Sequence, residues 1–458
     1  MRPDMRPDMR PGRPRLTQPT PASPLPLAAQ PWRWIPTLYF SQGLPYVVVM
    51  TLSVVMYKNL GVGNTEIALY TSWLYLPWVI KPLWSPLVDL LGTKRRWIVA
   101  MQFVVGAALA MVALTLPGPD FLRMSLAVFW LMAFASATHD IAADGFYMLA
   151  LTAGSQAAFV GVRSTFYRLA MIGGQGGLVY LAGLLQERSS QPATAWAWVM
   201  GLLALLFGVA ALWHVWALPQ PAVDQPAPRR AAGAAEFWAD FLAVFAAFFR
   251  KPDIARILAF LLLYRFAEAQ LLKLVTPFLL DATSAGGLGL KTQDVGIAYG
   301  TVGIAALTLG GLLGGWVISL GGLKRLLWPL MLCMHVPNLV FVALAASQPS
   351  NLWLVSAALA VEQFGYGFGF TAYMVFMLMV AGGSDASADG GAVHKTAHYA
   401  LCTGFMALGM MLPGMWAGWL QSQLGYTQFF IWGCVATLPS FVAAALVRID
   451  PEFGRRNA

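Results

Sequence analysis

Asp140 and Asp144 stand in Ser136-Ala-Thr-His-Asp-Ile-Ala-Ala-Asp144-Gly, inside a long apolar run. On a helix, a spacing of four stacks both side chains on one face. Two like charges that close cannot both ionise cheaply in a low dielectric, so one is expected to hold a proton unless a cation pairs with it. That is the chemistry of proton coupling. Arg163 and Arg168 in the following run are the expected partners, and a structural ion-pair network between the two helices is the competing reading.

A second polar patch is Tyr264-Arg-Phe-Ala-Glu268-Ala-Gln270. Arg265 and Glu268 are three apart and are expected to pair on one helical face, with Tyr264 a turn below Glu268. Glu268 then reads either as a protonatable site facing a cavity or as half of an internal salt bridge. Glu362-Gln363 precedes Gly365-x-Gly367-x-Gly369, a run with no strand before it, which reads as close helix packing rather than a dinucleotide loop. Lys81, in Trp78-Val-Ile-Lys-Pro-Leu-Trp-Ser-Pro86, either snorkels or, beside its proline, faces a cavity. Lys273 completes the set. A charge inside a membrane helix costs about 2.5–3.5 kcal/mol on insertion scales, so each of these residues is a functional candidate.

Catalysis finds little support. His139 and Asp144 form His-x4-Asp, a spacing known from acyltransferases, but five helical residues turn about 140° past the starting face and separate the two. His394 and His398 have no acidic neighbour in sequence. No Walker loop suggests ATP drive. Cys333, Cys402 and Cys434 have neither metal nor disulfide spacing. The chain is expected to be no enzyme and to need no cofactor or metal.

Such residues need elements that can carry charge through lipid. The chain is 58% hydrophobic and 11% charged, with mean hydropathy +0.64, too little charge to cover a soluble protein of this length. Runs of about 20 apolar residues, the length that crosses a bilayer, fall at 34–57, 66–91, 97–116, 122–149, 156–186, 194–217, 253–280, 293–319, 326–346, 351–380, 397–420 and 426–447. They predict an all-α membrane protein of twelve transmembrane helices in two six-helix bundles. The net charge of +9 does not point to nucleic acid, because its placement is topological. If the runs alternate, the loops of one side hold Lys94, Arg95, Arg229, Arg250, Lys251, Lys324, Arg325, Lys395 and Arg448, and those of the other keep Lys58, Arg123, Arg188 and Lys291. The positive-inside rule then sets both termini in the cytoplasm.

A segment also repeats. Ser85-Pro-Leu-Val-Asp-Leu-Leu-Gly-Thr-Lys-Arg95 matches Gly315-Trp-Val-Ile-Ser-Leu-Gly-Gly-Leu-Lys-Arg325, with Asp89 opposite Ser319, Gly92 opposite Gly322, and Lys94-Arg95 opposite Lys324-Arg325. A duplicated basic turn points to a duplicated bundle and a secondary transporter. Asp89, Gly92, Lys94 and Arg95 are expected to gate, locking helices in one conformation and releasing them in another. The glycines at 173, 174, 176 and 177 and at 310, 311, 314 and 315 read as helix contacts. The expected organisation is a Pro-rich disordered tail over 1–33, bundles over 34–217 and 253–447, a linker over 218–252 and a tail over 448–458. Within the linker, 236–251 reads as an interfacial amphipathic helix tying the bundles together.

Taken together, these motifs resemble the major facilitator superfamily. Within it, Ser41-Gln-Gly-Leu-Pro45, Lys81-Pro-Leu-Trp-Ser-Pro-Leu-Val-Asp89, Ala137-Thr-His-Asp-Ile-Ala-Ala-Asp144, Tyr167-Arg168, Tyr264-Arg-Phe-Ala-Glu268-Ala and Thr276-Pro-Phe-Leu-Leu are similar to the anhydromuropeptide permease branch, whose relatives include acetyl-CoA transporters. The resemblance implies proton-driven import of muropeptides across a bacterial inner membrane, with solute and protons as partners beside the bilayer and no protein partner evident. Proton-coupling roles then go to Asp144, Asp140 and Glu268, and solute contacts to Lys81, Arg168, Arg265, Tyr264, Gln42 and Glu362. Acetyl-CoA or a siderophore is the alternative cargo, and a membrane sensor on a transporter fold the alternative class. The branch usually has Gln where His139 stands.

Overall fold

The computed structural model describes residues 30–454 apart from 152, 190, 223, 225–233, 383–390 and 452. Among the described residues the chain is helical, without strands. Nine helices among the described residues are long and apolar enough to cross a membrane: Pro31–Asn59, Lys94–Thr115, Phe121–Ala150, Gly161–Arg188, Pro192–Ala217, Thr292–Gly321, Leu323–Ser347, Leu352–Gly382 and Ala397–Leu446. The last contains two expected segments, turned at Gly425, whose φ of 73° suits a residue without Cβ. The second and seventh segments are helical but broken, into Asn64–Trp73 and Leu76–Leu90, and into Ile254–Leu263 and Phe266–Leu280. We number these regions spans 1 to 12 in chain order. The protein is a multi-pass membrane protein, with large exposed apolar side chains such as Leu114, Trp198, Leu212, Trp316 and Trp353 on its outer faces.

Buried side chains fall into four clusters. Two are drawn from the first half, around Phe129 and Trp196 and around Trp34 and Phe146. Two belong to the second half, around Tyr264 and Tyr373 and around Phe278 and Phe430, the latter reaching Ala68 across the seam. Three spans widen to π-helical turns at Val48–Leu52, Ile172–Leu178 and Gly296–Gly303, a deviation common at functional sites. Two of these turns meet where span 5 crosses span 8. A Cβ on Gly176 would lie 2.5 Å from Thr301 Oγ1, and one on Gly300 would strike the Gln175 carbonyl.

Two faces can be named from contacts. On the terminal face, Trp213 Nε1 at the end of span 6 donates to the Arg33 carbonyl at 3.2 Å. The Phe453 carbonyl near the C-terminus accepts from Leu323 N at 3.0 Å. On the opposite, distal face the halves are latched. Lys58 Nζ meets Asp281 Oδ1 at 2.5 Å, and Asn64 Nδ2 donates to Gln421 Oε1 at 3.0 Å and to the Tyr426 hydroxyl at 2.9 Å. Thr292 bonds Gln186 at 3.0 Å, and Lys291 meets Glu187 at 2.9 Å.

The linker helix runs Ala234–Phe249. Its Phe248 packs on Phe405 and His398 of span 11, so its described contacts anchor it to the second half. His394, weighed above for catalysis, and the loop cation Lys395 have side chains outside the described residues, as do Phe237, Trp238 and Asp240 of this helix.

Candidate functional site at the seam

The two helix breaks place the polar chemistry. Span 2 breaks at Leu74 and Tyr75 and span 7 at Tyr264 and Arg265, where Arg265 leaves helical geometry with φ −112° and ψ 21°. Tyr75 and Arg265 come near each other across the seam, with Tyr46 beside both. Trp78 packs edge-on against Tyr46 with ring centres 5.4 Å apart.

The break overturns the expected Arg265–Glu268 pair, because a spacing of three brings side chains together only along an unbroken helix. The Arg265 guanidinium instead donates to the Tyr366 hydroxyl and lies over the Phe370 ring, 4.8 Å from its centre. Its Nε is buried and has no partner. Glu268 turns the other way, to span 9, where Oε1 takes His335 Nδ1 at 2.7 Å and Asn338 Nδ2 at 3.4 Å. Both are buried, and Glu268 Oε2 and His335 Nε2 remain unsatisfied. Tyr264 is committed to the scaffold, its hydroxyl donating to the Gly369 carbonyl at 2.8 Å and its ring stacked on Tyr373. Glu362 is 4% exposed, and its hydrogen bond among the described residues comes from its neighbour Gln363 at 2.9 Å.

In the first half Asp140 and Asp144 each have a cation of their own, which is the exception allowed for the stacked pair. Asp144 meets Arg163 at 2.8 Å, and the guanidinium lies over the Tyr39 ring, 4.6 Å from its centre. Asp140 is held more loosely. Lys81 stands at 3.8 Å, Trp78 Nε1 donates at 3.2 Å, and the Gln42 amide lies close enough to act on it. Arg168 does not join these carboxylates. Its side chain crosses to span 8, where it donates to Thr308 Oγ1 at 3.4 Å. His139 likewise leaves Asp144, bonding Gln102, which in turn bonds His214. No His–Asp dyad forms.

At the duplicated turn, the Asp89 side chain lies outside the described residues. Lys94 and Arg95 open span 3, and their backbone N–H groups donate to both carboxylate oxygens of Asp224, at 2.7 and 3.1 Å. A carboxylate suits the positive end of a helix. Arg95 also donates to the carbonyls of Val215 and Leu218, fastening span 3 to span 6 within one half. The second copy differs. Lys324 and Arg325 are exposed, and the following helix is capped at the turn glycine itself, Gly322 with φ 77°, one register position earlier than in the first copy, where the cap is Thr93 at −79°.

Sequence reasoning missed Asp224, His335, Asn338 and the latch residue Asp281. Asp224 sits in a Pro-rich linker that gives no periodic signal. His335 is a lone histidine that only tertiary packing brings to Glu268.

Comparison with known proteins places this geometry. The BT1 family model matches residues 42–447. The chain belongs to the BT1 family. This BT1-family chain is 25% identical over 435 residues to the anhydromuropeptide permease of Escherichia coli strain K12, covering 92% of this chain and 80% of that one. It is 22% identical over 413 residues to the putative transporter AmpG 4 of Rickettsia conorii, covering 87% and 92%. Among solved structures, it resembles the nucleoside transporter NupG with TM-score 0.61 at 16% identity, covering 92% and 100%. It also resembles a D-xylose–proton symporter with TM-score 0.62 at 14% identity, covering 93% and 98%. The fold is that of the major facilitator transporters.

Proposed function

We propose that this chain is a proton-coupled secondary transporter that imports cell-wall muropeptides, disaccharide-linked peptides, across a bacterial inner membrane. The observation that carries this reading is the seam itself. Tyr46 and Tyr75 of the first half face Arg265 and Tyr366 of the second, with Trp78 packed on Tyr46, between bundles latched at the distal face by side chains. Aromatic rings suit sugar faces, and a guanidinium with an unsatisfied Nε suits a peptide carboxylate. The anhydromuropeptide permease named above aligns over nearly the whole chain.

Protons are proposed to move through the carboxyls at this seam. Glu268 and Glu362 are buried without a carboxylate-neutralising Lys or Arg among the described residues, the setting in which gaining and losing a proton is coupled to conformation. Asp140, with its loose 3.8 Å pair to Lys81, is the first-half candidate. Asp144, closely paired with Arg163, is proposed to couple less directly. Lys81, Gln42 and Arg168 line the path, Arg168 by reaching span 8. Gly92, Lys94 and Arg95 are proposed, with Asp89, to control the terminal face, which the charge asymmetry of the loops sets in the cytoplasm.

The test is uptake into proteoliposomes under an imposed pH gradient, with labelled anhydromuropeptide, acetyl-CoA and an iron–siderophore compared. Gradient-dependent muropeptide accumulation is expected. Flux of another solute with none of muropeptide would replace the cargo, and flux indifferent to the gradient would remove the proton.

A further inference from the structure

Lys273 lies on span 7 two turns beyond Arg265, toward the distal latch. It is 4% exposed. Its ammonium donates to Thr71 Oγ1 at 2.9 Å and stands 5.1 Å from the centre of the Tyr75 ring. Both partners are on span 2, in the opposite half. No carboxylate pairs with Lys273 among the described residues. A buried ammonium without a counter-anion is expensive, and a hydroxyl and a ring face offset only part of that cost.

The surroundings suit a transient partner. Ser72 Oγ, next to Thr71, is buried with no hydrogen-bond partner. In the latched state Gly414 of span 11 packs closely on both, since a Cβ there would lie 2.7 Å from Ser72 Oγ and 3.4 Å from Lys273 Cγ. Tyr75 connects the two cations, with Lys273 over its ring and Arg265 near its hydroxyl. Lys273, Tyr75 and Arg265 thus form a row along the seam, from just inside the latch at Asn64 and Asp281 to midspan. Both contacts of the ammonium cross the seam, so parting the halves at the distal face must break them. The ammonium would then face the opening unpaired.

We propose that Lys273 is the receiving cation of the transport path: with the distal face open it binds an anionic group of the incoming solute. On closure that group passes along Tyr75 to Arg265, as Lys273 returns to Thr71. The solute must therefore carry a carboxylate or comparable anion. This rests on the reading of the chain as a transporter, and on no particular cargo.

Two measurements on the full-length protein in liposomes test it. Lys273→Met keeps the stem and removes the charge. It is expected to raise KM for an acidic muropeptide about tenfold, the scale of one charged hydrogen bond, and to leave the carboxyl-amidated muropeptide within about twofold of wild type. Lys273→Arg should restore most of the difference. Equal loss of both solutes by a normally eluting Lys273→Met protein would overturn the proposal. The second measurement needs no cargo. Thr71→Cys, with Cys333, Cys402 and Cys434 replaced by Ala, is labelled from the distal side with anionic and neutral thiol reagents of equal size. The anionic reagent should react about fivefold faster at low salt, as expected for a unit charge about 4 Å away in water, and Lys273→Met should erase that preference. If the preference appears while wild type carries no muropeptide, the cargo assignment falls and the receiving cation stands. If the thiol of the Thr71→Cys variant stays unreactive, or shows no charge preference, the receiving cation falls.

Discussion

In the first half of the molecule every described carboxylate at the polar core has its own cation, with Lys81 3.8 Å from Asp140 and Arg163 2.8 Å from Asp144. In the second half the charges are kept apart. Glu268 and Glu362 meet a histidine and amides, and Arg265 and Lys273 meet rings and hydroxyls. Paired charges are already compensated and cost less to bury, but they have little left to offer a proton or a solute. Unpaired ones are costly in the closed protein and available in return. The comparison assigns scaffold electrostatics mainly to the first half and exchange chemistry to the second.

The largest effect should come from Arg265. Arg265→Ala is expected to lower uptake about a hundredfold, and Arg265→Lys should rescue little, because a lysine cannot reproduce a planar guanidinium lying over Phe370. Full rescue by lysine, in an uptake assay, would reduce Arg265 to a point charge. Next is Glu268→Gln, expected to abolish gradient-driven accumulation while sparing counterflow exchange. Normal accumulation by that variant would move coupling to Glu362 or to the first half.

Much of this is legible in the sequence, for specific reasons. Asp140, Glu268, Glu362 and Lys273 stood out because ionisable residues are rare in apolar runs. Which partner each one takes was not legible. The expected Arg265–Glu268 pair rested on helical periodicity through 264–268, and the helix breaks there. Arg168 sits five residues from Arg163 on the same span, yet one turns to Asp144 and the other to Thr308 in the opposite half. The equivalence of the duplicated turns was legible in residue types, but only contacts showed Asp224 holding the first copy.

Two smaller effects sharpen the contrast. Asp144→Asn and Asp140→Asn separate pairing from coupling in the first half. Asp144→Asn should cost about 1 kcal/mol of stability, as for a half-exposed ion pair, with accumulation largely kept. Asp140→Asn should depress accumulation more than stability, and the reverse order in transport and thermal-melt assays would exchange their roles. The smallest effect is at the distal face. The Lys291 pKa is raised by its bond to Glu187. A raised lysine contributes stability that is complete below its unfolded pKa, about 10.4, and is lost as pH rises through the higher folded value. The pair is exposed, so Lys291→Gln should lower melting only slightly at neutral pH, where the contribution is whole, and that small difference should vanish at strongly alkaline pH.

Composition, the length of the apolar runs and the placement of basic loops determined by themselves that this chain is a helical membrane protein built as two related halves. These properties follow from transfer of residues between water and lipid, which depends on residue type and local order along the chain. Tertiary structure alone decided which charges neutralise each other, where spans 2 and 7 break, and that the two breaks face one another at the seam. Those outcomes depend on side chains distant in sequence competing for the same few partners in a medium that offers no water in their place.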